Sequence, residues 1–212
     1  MIAFNFQDSH YLHSFEHCVE NVRKFYPNEL IDFYIDSNSD RIAEYTRICE
    51  RFHIEMNIRE HHQGYINRHD APGINIPKVL ESHYRIYNTC KKTDADWILL
   101  LEDDVLLKRE IKHWPNADCG TNREMPTGFL GGGSIFRKSV YIRAYEFLGE
   151  AGLKEIIRTD GDCAWAGDVL KKHMLIGTGA SYEKWMELAE PNYMDNTDHA
   201  VFHGYKELHR KG

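Results

Sequence analysis

The chain has 212 residues, enough for one sizeable core, and its 42% hydrophobic and 28% charged residues are those of an ordinary globular protein. A formal net charge of -7 argues against a nucleic-acid surface, which needs a clustered basic face, and no stretch reaches the apolar length of a membrane span. The five cysteines are odd in number, scattered and without a CxxC pair, which points to reduced, buried thiols in a cytosolic compartment.

Ile2 to Phe6 predicts a short buried strand, and Met1-Ile2-Ala3-Phe4-Asn5 lacks the charged start and long apolar region of a signal peptide. Asp8 or Ser9 can cap a helix whose apolar positions Tyr11, Leu12, Phe15, Cys18, Val19, Val22 and Phe25 recur at helical spacing before Pro27. Leu30 to Asp36 predicts a second strand, Ile42 to Phe52 a second helix, and His53 to Arg59, with Ile54, Met56 and Ile58 alternating, a third strand. Strand and helix in strict alternation imply right-handed crossovers and a parallel sheet. Glu60 to Asn75 is polar with Gly64, Pro72 and Gly73 and predicts a long loop; Pro77 then opens a helix running to about Cys90. Lys108 to Pro126 is polar and irregular, and Thr127 to Arg137 is a glycine-rich approach to a strand. Val140 to Leu148 predicts a helix, Cys163 to His173 a helix capped by Asp162, Met174 to Ile176 at best a short strand, and Asp195 to Lys211 a tail packed across the site.

The chain is organised around Trp97-Ile98-Leu99-Leu100-Leu101-Glu102-Asp103-Asp104-Val105-Leu106-Leu107. An unbroken apolar run of strand length reads as a strand buried on both faces. Carboxylates crowded at its carboxyl end, beside further apolar residues, repel one another and resist desolvation, so a positive partner should hold them. A divalent cation with oxygen ligands is the simplest such partner, and open α/β sheets place ligands outside the carboxyl ends of their strands. A solvated acidic turn is the alternative, though the flanking leucines count against it.

With three strand–helix units before it, Glu102-Asp103-Asp104 resembles the acidic DxD motif of nucleotide-sugar glycosyltransferases of the GT-A fold, with Glu in the first place. The resemblance implies an α/β, GT-A-type single domain: a central, mostly parallel (mixed) sheet flanked by helices, a nucleotide-sugar-binding half over residues 1–107, and an irregular acceptor-side half over 108–212. It implies Mn²⁺ (or Mg²⁺) as cofactor, held by Asp104 directly, with Glu102 and Asp103 nearer the ribose and sugar and Glu102 also a candidate for the metal shell. His203-Gly204-Tyr205-Lys206 is similar to the family's His…Gly…Lys element, in which the histidine completes the metal shell and the lysine reaches the diphosphate; His199 competes for the first role. That element is nearer to the retaining families.

The same resemblance places an acidic residue at a helix start, facing the anomeric carbon and the acceptor hydroxyl. Asp162 matches, with Asp160 and Asp168 as alternates, and a plain helix cap explains Asp162 nearly as well. It assigns the strand ends Asn5, Phe6, Asp8 and Asp36 to nucleobase and ribose, and Arg68, His69, Lys78 and Arg85 to the diphosphate or donor. Gly131, Gly132 and Gly133 serve either close backbone packing or the approach of N–H groups to the donor, and Arg137 pairs with phosphate or a buried acid. A closer likeness is to the N-terminal glycosyltransferase modules of chlorovirus proteins that decorate the capsid glycan. That likeness implies a host-cytoplasmic enzyme, further domains beyond Gly212, a glycan or glycoprotein acceptor, and UDP-glucose or a UDP-deoxyhexose such as UDP-rhamnose as donor. The expected reaction is transfer of a hexose or deoxyhexose from a UDP-sugar to a glycan hydroxyl, by retention in preference to inversion. The rivals are a sugar nucleotidyltransferase, whose glycine-rich, lysine-containing loop is missing from Asn5-Phe6-Gln7-Asp8-Ser9-His10, and a non-catalytic glycan-binding module.

Overall fold

The structure, a computed structural model, describes residues 1–7, 12–60, 76–102, 104–122, 130–160, 167–189 and 198–203, with the backbone alone at 76–78. The first half follows the alternation of the sequence: β1 (Ile2–Gln7), α1 (Leu12–Phe25), β2 (Ile31–Asp36), α2 (Ile42–Arg51), β3 (Glu55–Arg59), α3 (Ile76–Lys92) and β4 (Trp97–Leu101). β1 lies parallel to both β2 and β4, and β2 parallel to β3.

After β4 the chain departs from that pattern. β5 (Val105–Leu107) leaves the main sheet, and β6 (Cys119–Thr121) and β7 (Ile135–Arg137) return to it. Next come α4 (Lys138–Thr159), α5 (Gly167–Gly177), β8 (Tyr182–Lys184), β9 (Leu188–Ala189) and β10 (Val201–His203). The main sheet has seven strands in the order β3-β2-β1-β4-β7-β6-β8, and β5-β10-β9 form a second, three-stranded sheet. β7 runs antiparallel to β4 and β6, whereas β6 and β8 are parallel. The sheet is therefore mixed, and both halves of the chain build it.

Several expectations are corrected. The stretch 108–126, expected to be irregular, contributes β6 to the main sheet; three residues are too few to show alternation. Residues 174–176, expected as a strand, are the last turns of α5, where Leu170, Met174 and Leu175 are all fully buried at helical spacing. The helix expected over 140–148 continues to Thr159 through a kink at Gly149, whose φ of 58° is open to glycine. β8, β9 and β10 were not expected as strands.

β4 is buried at every residue, as its sequence predicts. Successive side chains point to opposite faces, so Leu99 and Leu101 join Phe4, Phe6, Phe15, Val19 and Phe33 under α1 and α2, while Ile98 and Leu100 join Ile86, Phe136, Tyr141 and Leu170 under α3, α4 and α5. Cys18, Cys49, Cys90 and Cys119 are buried free thiols, and desolvation pushes Cys49 and Cys119 up to about 12. Among the described residues no helix is long and apolar enough to cross a membrane.

The small sheet is fastened by one buried carboxylate. Glu187, 1% exposed, accepts the backbone N–H groups of Lys112 and His113 at 3.0 and 2.9 Å and that of Ala200 at 3.3 Å. Arg109 lies 2.7 Å from Oε2, the oxygen that also accepts from Ala200. The loop after β5 and the residue before β10 are thus tied to one side chain. Burial alone would raise the Glu187 carboxyl, but Arg109 and the N–H groups of His113 and Lys112 outweigh it and hold the group below its ordinary value.

With a folded-state pKa below the unfolded one, Glu187 contributes stability that is fully present above the unfolded value of about 4.3 and is lost as pH falls through the folded value. Glu187→Gln should cost about 2 kcal/mol at pH 7. In urea melts, the gap between wild type and variant should narrow below about pH 4; a gap independent of pH would contradict this account.

Candidate functional site

The site begins where β4 ends. A tight turn, closed by the Val105 N–H on the Glu102 carbonyl at 3.0 Å, swings the chain from the main sheet into β5. β5 then pairs antiparallel with β10 in the register Val105↔His203, Leu106↔Phe202, Leu107↔Val201. Val105, Leu107 and Val201 are sealed in the core, which fixes that register through burial. The consequence is local: His203, nearly one hundred residues after the acidic turn, stands with Nε2 3.4 Å from Asp104 Oδ1 and 3.5 Å from Glu102 Oε2.

Ligand atoms of Glu102, Asp104 and His203 all lie within 4.8 Å of one another. Neighbouring corners of an octahedron of about 2.1 Å radius are about 3 Å apart, so small adjustments would let this set hold one divalent cation. Two carboxylates and an imidazole are donors suited to Mn²⁺, and Mg²⁺ fits less well with the nitrogen. The residues present fit the expected cofactor. Burial alone would disfavour the charged imidazole, but the hydrogen bond and charge of Glu102, then Asp104 and Asp168, raise the His203 pKa above its ordinary value. Burial likewise opposes an ionised Glu102, yet His203, Lys171 and the Gly132 N–H together hold its carboxyl below the usual range.

The glycine run packs against this group. Gly132 donates its N–H to Glu102 Oε1 at 2.8 Å, and a Cβ there would come within 2.8 Å of the Glu102 carboxyl carbon. Gly133 has φ +78°, and a Cβ would lie 2.7 Å from Leu188 and 3.2 Å from Val201, so its bareness lets β9 and β10 close on the turn. Its N–H goes to the Leu100 carbonyl at 2.8 Å. Of the two roles expected for the run, close backbone packing is the one these contacts describe.

Asp168, on the first turn of α5, faces the same place: a Cβ on Gly131 would stand 3.0 Å from its Oδ2, and its charge acts on His203. Lys171 pairs with Asp168 at 2.9 Å. Sequence reasoning did not single out Lys171; its signal was the i,i+3 spacing from an acid on a helix. Asp160 lies elsewhere in role, as the residue closing α4, with its carboxylate 3.0 Å from His173. His199 lies outside the cluster formed by Glu102, Asp104 and His203.

The candidates at the first strands are engaged within the protein. Asn5 is buried and donates to Thr89 Oγ1 at 2.8 Å, and Thr89 in turn donates to the buried Asp32 at 2.6 Å. The Phe6 ring is wholly enclosed, edge-on to Phe15 and Phe33 at 5.0 and 5.6 Å, so its faces are spent on the core and none is open to a nucleobase. Asp36 and Arg85 meet each other at 2.6 Å at the carboxyl end of β2. Arg137 stacks on Trp97 at 4.4 Å and lies 3.9 Å from Asp118, at the end of β4 opposite the acidic turn. Asp8, Arg68, His69, Asp103, Asp162 and Lys206 lie outside the described residues, as does the Lys78 side chain.

With this geometry in view, residues 80–125 match the family described as Glycosyltransferase family 25 (LPS biosynthesis protein), a span holding most of α3, β4, the acidic turn, β5 and β6. No curated protein matches the chain. Among solved structures, galactosyltransferase LgtC in complex with donor and acceptor sugar analogs is similar with a TM-score of 0.59 at 13% identity, over 96% of this chain and 86% of its own. The apo-form glycosyltransferase GlyE of Streptococcus pneumoniae TIGR4 gives 0.58 at 10% identity over 95% of this chain; the chain spans 54% of GlyE's length. A nucleoside-diphosphate-sugar pyrophosphorylase from Vibrio cholerae RC9 gives 0.53 at 14% identity, over 99% of this chain and 98% of its own. These likenesses establish the fold, a GT-A-like mixed α/β sheet flanked by helices.

A ligand that binds only the native state raises its melting temperature. Mn²⁺ should therefore raise the Tm of the wild-type chain, Asp104→Ala should abolish that rise, and His203→Ala should weaken it. Full rises in both variants would remove this site.

Proposed function

We propose that the chain is a metal-dependent glycosyltransferase that moves a hexose or deoxyhexose from a UDP-sugar to a hydroxyl of a glycan. The observation that carries the reading is the meeting of Glu102, Asp104 and His203 where β4 runs out, beside β1, at the point where an open sheet of this type leaves a crevice. The family match over residues 80–125 includes that turn, and LgtC, of like fold, is a galactosyltransferase seen with donor and acceptor sugar analogs.

Glu102, Asp104 and His203 would hold the cation, with Glu102 oriented by the Gly132 N–H and His203 by the β5–β10 register. Bound there, Mn²⁺ or Mg²⁺ supplies Lewis acidity to the diphosphate and offsets the charge that develops on the leaving UDP. As the bond from the anomeric carbon to the diphosphate oxygen breaks, its electron pair leaves with UDP and the sugar gains oxocarbenium character. Asp168, whose charge acts on His203, is the described carboxylate that would stabilise the cationic face. The resemblance of the chain's end to retaining enzymes favours a course in which the acceptor oxygen bonds to the anomeric carbon on the face that UDP leaves and its proton passes to the departing diphosphate oxygen, so that Asp168 acts through its charge.

The pyrophosphorylase of like fold gives the competing reading its one specific support. Against it, β1 ends at Gln7 and continues into Asp8-Ser9-His10 with no glycine-rich, lysine-bearing loop. Incubation with UDP-glucose or UDP-rhamnose and Mn²⁺ separates the two. Slow release of free UDP, lowered about a hundredfold or more in Asp104→Asn, is expected. Formation of UTP and sugar 1-phosphate on adding pyrophosphate, with no release of UDP, would replace the transferase by the nucleotidyltransferase.

A further inference from the structure

A lysine gives up much hydration on leaving water, so a buried one needs a partner and a reason. Lys171 is 9% exposed. It stands one turn after Asp168 on α5, with its Nζ 2.9 Å from Asp168 Oδ1. The other oxygen of the same carboxylate faces the glycine turn, where a Cβ on Gly131 would meet it at 3.0 Å. Asp168 is in turn close enough to act on His203, and Lys171 close enough to act on Glu102. One helix therefore presents an opposite-charge pair to ligands that strands β4, β5 and β10 have assembled.

The charges of this group decide what Lys171 does. Among the described residues the group holds three carboxylates, Glu102, Asp104 and Asp168, and Lys171 offsets one of their charges. Without Lys171 the same group would attract a cation more strongly, and it would be one charge more negative after binding one. An approaching diphosphate would then meet repulsion. Without Asp168 the ammonium would lose its nearest counter-charge and oppose the cation instead.

We propose that Lys171 is a positioning residue of the donor site: it orients Asp168 and offsets one carboxylate charge beside the cation ligands, so that a nucleoside diphosphate can dock. The statement about the diphosphate rests on the transferase reading above; the statement about cation affinity stands apart from it.

The test is a charge cycle on the full chain. Mn²⁺ affinity is measured by calorimetry for wild type, Lys171→Met, Lys171→Arg, Asp168→Asn and the Asp168→Asn/Lys171→Met double variant, then UDP affinity at saturating Mn²⁺, with Tm for each. Lys171→Met is expected to bind Mn²⁺ about fivefold more tightly and UDP about fivefold more weakly, from removal of one charge close to a dication. Lys171→Arg should match wild type in both, Asp168→Asn should weaken Mn²⁺, and the double variant should return to within about twofold of wild type because its formal charge is restored. Should Lys171→Met fail to fold, Lys171→Gln carries the same expectations. A lysine that only packs would lower Tm and leave the Mn²⁺ affinity unchanged; that result, or a double variant no nearer to wild type than the single ones, overturns the proposal. A wild-type chain that binds Mn²⁺ and UDP yet never releases UDP from a UDP-sugar would sink the transferase reading and leave the charge relation standing.

Discussion

The pairing of β5 with β10 is the constraint on which the rest depends. It is short, three residues on each side, and it joins segments nearly one hundred residues apart. Its strength comes from where it sits: Val105, Leu107 and Val201 are enclosed in the larger core, so a slip by one residue would turn apolar side chains toward solvent and carry His203 away from the acids. Glu187 holds the pairing from one side by gathering N–H groups from both the loop after β5 and the residue before β10. Gly133 holds it from the other by offering no side chain where Leu188 and Val201 must close.

That constraint explains how like charges can gather at the end of a buried strand. Glu102 and Asp104 are not balanced by a single cationic side chain. They share a histidine from the end of the chain, a lysine from α5 acting at a distance and a backbone N–H from the glycine turn. Together they outweigh the cost of burial at Glu102. The result is a group that is tolerable in the folded chain and still negative enough to receive a dication.

Elsewhere the polar residues of the first strands are bound to one another. Asp32 is buried beneath Thr89, Asn57 and Lys92, at 2.6, 2.7 and 2.9 Å, and Lys92 also reaches Glu55 at 2.5 Å. This network pins α3 to β2 and β3 and takes up Asn5 through Thr89. Asp36 and Arg85 form a second such pair. Residue types that a ligand would use are, at these positions, the ones the sheet uses to attach α3.

How much was legible beforehand follows from length scales. The strands and helices up to Leu101 were readable because each carries its period over five or more residues, and β4 announced its two-sided burial in an unbroken apolar run. The acidic turn was readable because three carboxylates in a row beside leucines have few uses, and His203 because of its neighbours Gly204 and Lys206. Strands of two or three residues such as β6, β9 and β10 carry no period at all, so their existence is decided only when they find partners. The pairing of Asp168 with Lys171, and of Asp160 with His173, was likewise a matter of how α5 packs against its neighbours. Phe6 shows the same limit: an aromatic at a strand end is open to a base or lost to the core according to what α1 lays over it. The sequence alone determined the alternating half, the buried central strand and the crowding of carboxylates at its end, since these are local patterns of burial and charge. Only the tertiary structure decided which distant residues share that end, because register and packing, unlike period, are properties of two segments at once.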